Sequence, residues 1–475
     1  MSLRPRVVLA TLAHESLPIV VCSAFLALLA ALVPQLLSSD GWLALVSGRL
    51  IAHHGLPHHD SLAALTYGRD WVDQQWFGQL ATYAIEAVGG VRLLLAINVL
   101  LVGGAFIAAA VYARRRGARP ATVSVILFAA LLPFLVTAMN VRTQSFVYLP
   151  FVVLVGALAR DRPLSVRAAG VVLAVIVVWA NVHGSALLAA GVVALRGAID
   201  LYRPPRSRIA WALLIGPWPC LLASPYHVHL LSYYGKTAFN SSFSTYLSQW
   251  APTTFSLVAA PLLVLVFATV WMLGRAAPAY TTYETWLAGA SALLALLAVR
   301  NWAFASLLLV MFTPHGFDLA LRKKAARPAP PIGAVVAALA ALAAVASVVG
   351  SLSSATPDLT QNYPAEAARA AAAAASGRDA QVYAGIPFAD WLLWTHPELT
   401  GKVVLDVRYE LLKASEVKRL ALFDAGNTAT ARLGSPVAYV LDPDTESHAV
   451  KGLSPDVRTV YNTDHAVIAV VRNGE

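Results

Sequence analysis

Apolar runs of about 17–22 residues recur along this chain, each long enough to cross roughly 30 Å of hydrocarbon as a helix. About eleven are legible, at 17–37, 92–113, 120–138, 144–159, 166–182, 184–202, 209–224, 255–273, 285–299, 302–320 and 332–351. Between them the basic residues fall in alternate short loops. The clusters are Arg4 and Arg6; Arg114, Arg115, Arg116 and Arg119; Arg160, Arg162 and Arg167; Arg203, Arg206 and Arg208; and Arg322, Lys323, Lys324 and Arg327. Cationic loops stay on the cytoplasmic side of a membrane, and every cluster gives the same orientation. The N-terminus is then cytoplasmic, and an odd number of crossings carries the C-terminus to the other side. With 58% of 475 residues hydrophobic and 13% charged, a soluble globule is excluded. The expected fold is an all-α polytopic membrane protein. The net charge of +10 sits in these loops, which makes the lipid bilayer the partner and excludes nucleic acid.

Cys22 and Cys220 both fall inside predicted spans, which argues against a disulfide framework and a thiolate metal site. The first apolar run follows Arg4 and Arg6 as a signal peptide would. It is long for one and lacks a clear small-residue cleavage site, so it reads as a retained span. Three stretches outside the bilayer are long enough to hold structure. The first, 38–91, has helical apolar spacing from Asp40 to Ile51, a His-rich turn from His53 to Asp60, and an amphipathic piece from Trp71 to Gly89. Trp42, Trp71 and Trp76 suit helices lying in the membrane interface. The second, 224–254, is dense in Tyr, His, Ser and Asn. The third begins near 356, where composition shifts to that of ordinary soluble sequence.

The chain therefore divides into a transmembrane part, 1–355, and a small extracytoplasmic α/β domain, 356–475. In the latter we expect helices at 364–375, 388–394 and 415–423, strands at 381–384, 402–407 and 437–441, and a hairpin over 457–471 turning at Asn462-Thr463-Asp464. No internal repeat, Gly-rich phosphate loop, metal-spaced His/Cys set or nucleophile elbow is visible.

Asp40, Asp60, Arg142, His183, His227 and Arg300 lie far apart in sequence, yet the topology returns all of them to the outer face. Charge is costly near hydrocarbon, so its concentration at one depth reads as a site. Asp40, just past the first span, suits a general base or a group holding an acceptor hydroxyl; an Asp before Trp42-Leu43 is also a good helix N-cap. Asp60 is either a second catalytic carboxylate or a turn cap. Arg142, in Asn140-Val141-Arg142-Thr143-Gln144, and Arg300, in Arg300-Asn301-Trp302, occupy short links. Such cations suit a phosphate, which a guanidinium grips bidentately; snorkelling to lipid headgroups is the plainer role. With His183, in Trp179-Ala180-Asn181-Val182-His183-Gly184, they form a candidate donor-phosphate pocket. Gln144, Asn181, Tyr226, His227, Gln249 and Trp250 are candidate substrate contacts. His227-Val228-His229 resembles metal spacing only weakly, so no metal ligands are assigned.

Asp40-Gly41-Trp42, Gly48, Gly55-Leu56-Pro57, Asp60-Ser61, Trp71 and Trp76 resemble the first-loop pattern of uncharacterised bacterial proteins similar to the GT-C superfamily of membrane glycosyltransferases. Further echoes are Arg142-Thr143-Gln144-Ser145-Phe146, Trp179 to Gly184, Ser224-Pro225-Tyr226, Gln249-Trp250-Ala251-Pro252, Asp390-Trp391-Leu392-Leu393-Trp394 and Asp406-Val407-Arg408. The likeness covers most of the chain through individually loose motifs. It implies a hexosyl- or pentosyltransferase using a polyprenyl-phosphate-linked sugar, a glycan, lipid or protein acceptor, and an essential acid at Asp40. Many relatives carry two adjacent acidic residues at that place, whereas Gly41 follows Asp40 here. A second carboxylate would then be Asp60 or Asp73, or be absent, and a divalent metal stays open while no cofactor is required. A transporter or flippase for lipid-linked glycans, or a non-catalytic scaffold, would share the polytopic layout. A transporter would show repeat symmetry and polar groups at the midplane, and the halves of this chain do not match. The Ala-rich composition and use of Arg over Lys suggest a GC-rich prokaryotic genome, hence a plasma membrane.

Overall fold

The computed structural model describes residues 5–160, 162–202, 207–238, 240–276, 279–322, 330–377, 379–425, 433–441, 457–462, 464 and 467–471. Of the basic clusters, Arg4, Arg203, Arg206, Lys323, Lys324 and Arg327 lie outside the described residues, as does Thr463 of the expected hairpin turn.

Helices occupy the apolar runs: Pro5–His14 with Ser16–Ala31, Trp76–Arg115, Pro120–Thr137, Ser145–Leu158, Val166–Val182, Ala186–Tyr202, Arg208–Ile215 with Pro217–Leu221, Ala260–Ala276, Thr282–Leu297, Trp302–Ala320 and Ile332–Leu352. Among the described residues, four are long and apolar enough to cross a membrane, or up to five if the N-terminal pair, bent by 69°, forms one span. The chain is thus a multi-pass membrane protein. Other apolar helices are shorter, among them Ser145–Leu158, Val166–Val182 and Ala260–Ala276. Trp302–Ala320 is the central helix, packed by Pro120–Thr137, Ala260–Ala276, Thr282–Leu297 and Trp76–Arg115. The apolar window at this helix is 78% buried, against 17% for Ile332–Leu352, so the first belongs to the core and the second faces the surroundings.

Between membrane helices, close packing rather than water exclusion holds the contact, and small residues let backbones approach. A Cβ on Gly48 would stand 2.3 Å from the Gln79 carbonyl oxygen, and one on Gly78 would stand 2.6 Å from that of Val182. The first contact seats the Ser39–His54 helix on Trp76–Arg115. The second brings the end of Val166–Val182 under the same corner. Trp76–Arg115 runs 40 residues but breaks at Gly89 and Gly90. Gly90 has φ +66° and ψ −175°, a conformation that only glycine adopts cheaply, and there the expected amphipathic piece turns into the expected span.

After Thr356 the chain forms β1 (Gln381–Ala384), β2 (Pro436–Leu441), β3 (Val457–Asn462) and β4 (Val467–Val471), with helices Ala365–Ala374, Ile386–Thr395 and Ala414–Asp424. The sheet order is β1-β2-β4-β3; β1 and β2 are parallel, the other pairs antiparallel. Residues 402–407, expected as a strand, make only isolated bridges, Val403 pairing with both Val382 and Ala63. The Arg408 amide donates to Asp406 Oδ1 (2.9 Å), and this local turn ends the extended run. The other neighbour of Val403 is the first loop itself. The Ala64 amide donates to the Val403 carbonyl (2.7 Å) and the Leu65 amide to that of Val404 (2.9 Å). Arg69 grips Glu416 with two bonds of 2.7 Å. Arg49 donates to the carbonyls of Leu393 (2.7 Å) and Trp394 (3.0 Å). The segment after 356 is therefore docked on the first loop through residues between Leu393 and Glu416.

Candidate functional site

Asp40 lies in the first turn of Ser39–His54, and its neighbour sets what can approach it. A Cβ on Gly41 would stand 2.7 Å from Leu37 Cδ1 and 3.0 Å from the Val141 carbonyl oxygen. The bare glycine lets the Val141 backbone in, and the Val141 amide donates to the Leu36 carbonyl (2.7 Å). The next residue, Arg142, then places Nη2 3.2 Å from Asp40 Oδ2. Thr143 continues the link by donating to Gln75 Oε1 (2.7 Å). Position 41 is thus crowded by the link that carries Arg142.

His183 follows Val166–Val182 in an extended conformation. Its Nδ1 accepts from the Ser185 amide (3.1 Å), which leaves the ring proton on Nε2. Burial, helped by the charges of Arg300 and Arg142, pulls its pKa down to about 3. His183 therefore joins the two guanidiniums as a neutral hydrogen-bond donor rather than a third cation. Arg300 sits in the turn Val299–Asn301 with its guanidinium 3.5 Å from the ring centre of Trp250. Trp250 and Gln249 belong to the turn Ser248–Trp250, tied to the Arg300 link by the Val299 amide donating to the Ala251 carbonyl (3.1 Å). Burial lowers the pKa of Arg300, yet a guanidinium starts so high that it stays charged.

These ends of chain meet around a cavity of ≈ 360 Å³, which Asp40, Arg142, Gln144, His183, Gln249, Trp250 and Arg300 all line. The remaining candidates lie elsewhere. Asp60 is buried, with Oδ1 accepting from the Leu62 amide (2.9 Å) and pairing with Arg408 (2.7 Å), and Oδ2 accepting from the Thr66 hydroxyl (2.5 Å). It ties the first loop to the C-terminal segment. Asn181 accepts from Trp76 Nε1 (2.8 Å) and donates to the carbonyls of Val177 (2.8 Å) and Ala223 (2.9 Å), so its amide is committed to helix ends. Tyr226 donates to the Pro57 carbonyl (2.7 Å), and His227 is exposed with φ 45°.

Part of the wall escapes sequence reasoning. Gln74, Gln75 and Tyr233 line the cavity, and Arg408, Tyr409 and Glu410 close it from the C-terminal segment. Burial pushes the Glu410 carboxyl up to about 7. Asp73, behind this wall, is pushed to the same region, mainly by burial and against the pull of the Gln75 amide and Arg408. The stretch Asp406-Val407-Arg408 lies beside Glu410 in sequence, but no periodicity marks Glu410 itself. Among the described residues no group of three or more His, Cys, Asp or Glu is placed to hold a metal.

A second cavity of ≈ 570 Å³ adjoins the first and shares Gln144, His183, Tyr233, Thr237, Trp250 and Arg300 with it. Its far side is apolar, built from Leu187, Leu188, Leu294, Leu297 and Phe304. Chemically, the joined space offers two fixed cations and a neutral N–H beside a carboxylate, with a greasy extension. That combination binds an anion carrying an apolar chain.

No family model matches the chain, and no curated protein matches it. Among solved structures it is similar to ArnT from Cupriavidus metallidurans in the apo state, at 15% identity and TM-score 0.46 over 91% of this chain and 93% of that one. It is also similar to ArnT from the same organism bound to undecaprenyl phosphate, at 14% identity and TM-score 0.43 over 94% and 97%. A third is the arabinofuranosyltransferase AftD from Mycobacteria, at 19% identity and TM-score 0.48, where all of this chain aligns with 40% of that one.

Proposed function

We propose that the chain is a GT-C-like membrane glycosyltransferase that moves a hexosyl or pentosyl unit from a polyprenyl-phosphate donor to an acceptor hydroxyl. The observation that carries this reading is the pair of joined cavities, cationic at Arg142 and Arg300 and apolar at Leu187, Leu188, Leu294 and Leu297. An isoprenoid phosphate has the same two-part chemistry. Arg142 and Arg300 hold its phosphate, and His183 donates from Nε2. The acceptor oxygen attacks the anomeric carbon and forms the new C–O bond as the bond from that carbon to the phosphate oxygen breaks. The leaving phosphate keeps the bond's electron pair, and the acceptor proton passes to Asp40. Fixed cations in a desolvated pocket stabilise the charge that grows on the leaving oxygen. Because Asp40 is paired with Arg142, a phosphate that takes Arg142 also releases Asp40 to act as base. Asp60, engaged by Arg408, holds the wall and takes no part in the step.

The same reading includes eleven crossings, a cytoplasmic N-terminus, and a division at 355 that puts the site and residues 356–475 on the outer face of the plasma membrane. Its support is the placement of charge: Arg114 pairs with Glu15 and Arg116 with Glu284 at helix ends, and none of these residues lines the cavity. The test supplies radiolabelled polyprenyl-phosphate hexoses and pentoses to the reconstituted protein with a membrane-derived acceptor fraction. Label appearing in acceptor, and lost in Asp40→Asn, supports transfer. Label crossing the bilayer while still on its lipid would make the protein a transporter instead.

A further inference from the structure

Resting on the transferase reading, we propose that Glu410 is the acceptor-binding carboxylate of the site and selects a polyol, a sugar-like acceptor, by accepting from its neighbouring hydroxyls. The first loop cannot supply this group. At position 41 a side chain would have to push aside Leu37 and crowd the Val141 carbonyl oxygen, 3.0 Å from its Cβ. Asp60 is consumed by Arg408, and Asp73 does not line the cavity. Asp424 does line it, but at the exposed end of Ala414–Asp424.

Glu410 lies on the wall, within electrostatic reach of Asp40, Arg300 and Asp73. Among the described residues no cation closes an ion pair on it; Arg408 attracts its charge and its own backbone amide donates to it, which still leaves acceptor capacity for a ligand. Its backbone is nonetheless fixed. Arg408 is clamped by Asp60 and Asp406 and stacked 4.3 Å over Trp71, and the turn Tyr409–Leu411 is closed by the Leu411 amide donating to the Arg408 carbonyl (3.0 Å). The phosphate-binding cations Arg142 and Arg300 come from the membrane links, whereas Glu410 comes from the C-terminal segment. Donor and acceptor ends of the cavity are thus built by different parts of the chain. A carboxylate with two oxygens accepts from adjacent hydroxyls together, and in a desolvated site an acceptor lacking them leaves it unpaired.

The experiment compares n-octyl hexoside with n-octanol as acceptors, using radiolabelled polyprenyl-phosphate hexoses and pentoses as donors and undecaprenyl phosphate as the binding probe. For wild type we expect kcat/KM to favour the hexoside by about 10²-fold or more. In Glu410→Gln that preference collapses and the hexoside KM rises, while undecaprenyl phosphate binding stays within about twofold. Glu410→Asp, which keeps the carboxylate, restores part of the preference and answers for any folding defect of the glutamine variant. Unchanged preference in Glu410→Gln, with wild type active, overturns the assignment of Glu410 alone. Absence of wild-type transfer from every donor overturns the transferase reading and the acceptor role with it.

Discussion

Replacing Asp40 by Asn should move donor binding and catalysis in opposite directions. Asp40 holds Arg142 at 3.2 Å, with the Asp side chain 37% exposed and the Arg 13%. An ion pair so open to water is worth about 0.2–1 kcal/mol, and a donor phosphate must displace it to reach the guanidinium. Asparagine removes that competition and the repulsion between carboxylate and phosphate, so undecaprenyl phosphate should bind up to about fivefold more tightly. Transfer should fall by about 10²–10⁴, the usual loss when a general base is removed. The assay is equilibrium binding of labelled undecaprenyl phosphate to nanodisc-reconstituted protein, followed by single-turnover transfer on the same preparations. Binding weakened more than threefold would refute competition for Arg142, and retained transfer would refute the base.

Arg300→Lys keeps the charge but loses the planar stack on Trp250 and the two-pronged grip. Together these are worth about 1–2 kcal/mol, so undecaprenyl phosphate should bind roughly tenfold more weakly in the same assay. Gly41→Asp, which restores the adjacent acidic pair of the resembling proteins, should lower stability by about 1–3 kcal/mol through overpacking, read as a lower melting midpoint in detergent; a midpoint equal to wild type would contradict the close approach of Val141. Glu410 and Asp73 titrate near 7 when folded and in the ordinary carboxylate range when unfolded. The unfolded chain therefore loses these protons first, and each group's contribution to stability declines as pH rises from about 4 to 7 and then levels. Glu410→Gln should accordingly gain stability relative to wild type between pH 5 and pH 7.5, measured by melting at both values.

What the sequence discloses follows from which forces act locally. Hydropathy marks the helices because a buried helix is apolar over its own length, and Asp40, Arg142, His183 and Arg300, which the alternate basic loops lead one to expect together, line one cavity. Asp60 is expected with them, but its partner Arg408 is remote in the chain, and nothing local tells a clamped carboxylate from a free one. Asn181 and Tyr226 likewise look like site residues until their hydrogen bonds to the Ala223 and Pro57 carbonyls are seen. Glu410 was illegible for the opposite reason: its place on the wall depends on how the segment after 356 docks on the first loop. Residues 402–407 have a strand's composition, yet the turn at Asp406 and Arg408 limits them to bridges.

The pairing of Ala64 and Leu65 with Val403 and Val404 bears on how the protein is made. Ribosomes deliver the first loop early and its strand partner late. Until the final part emerges, the cavity has its cations but lacks the wall formed by Arg408, Tyr409 and Glu410. A chain halted at 355 would keep the links that carry Arg142 and Arg300 and lack Arg408, Tyr409 and Glu410. On the transferase reading, such a copy would carry the donor end of the site without its acceptor end.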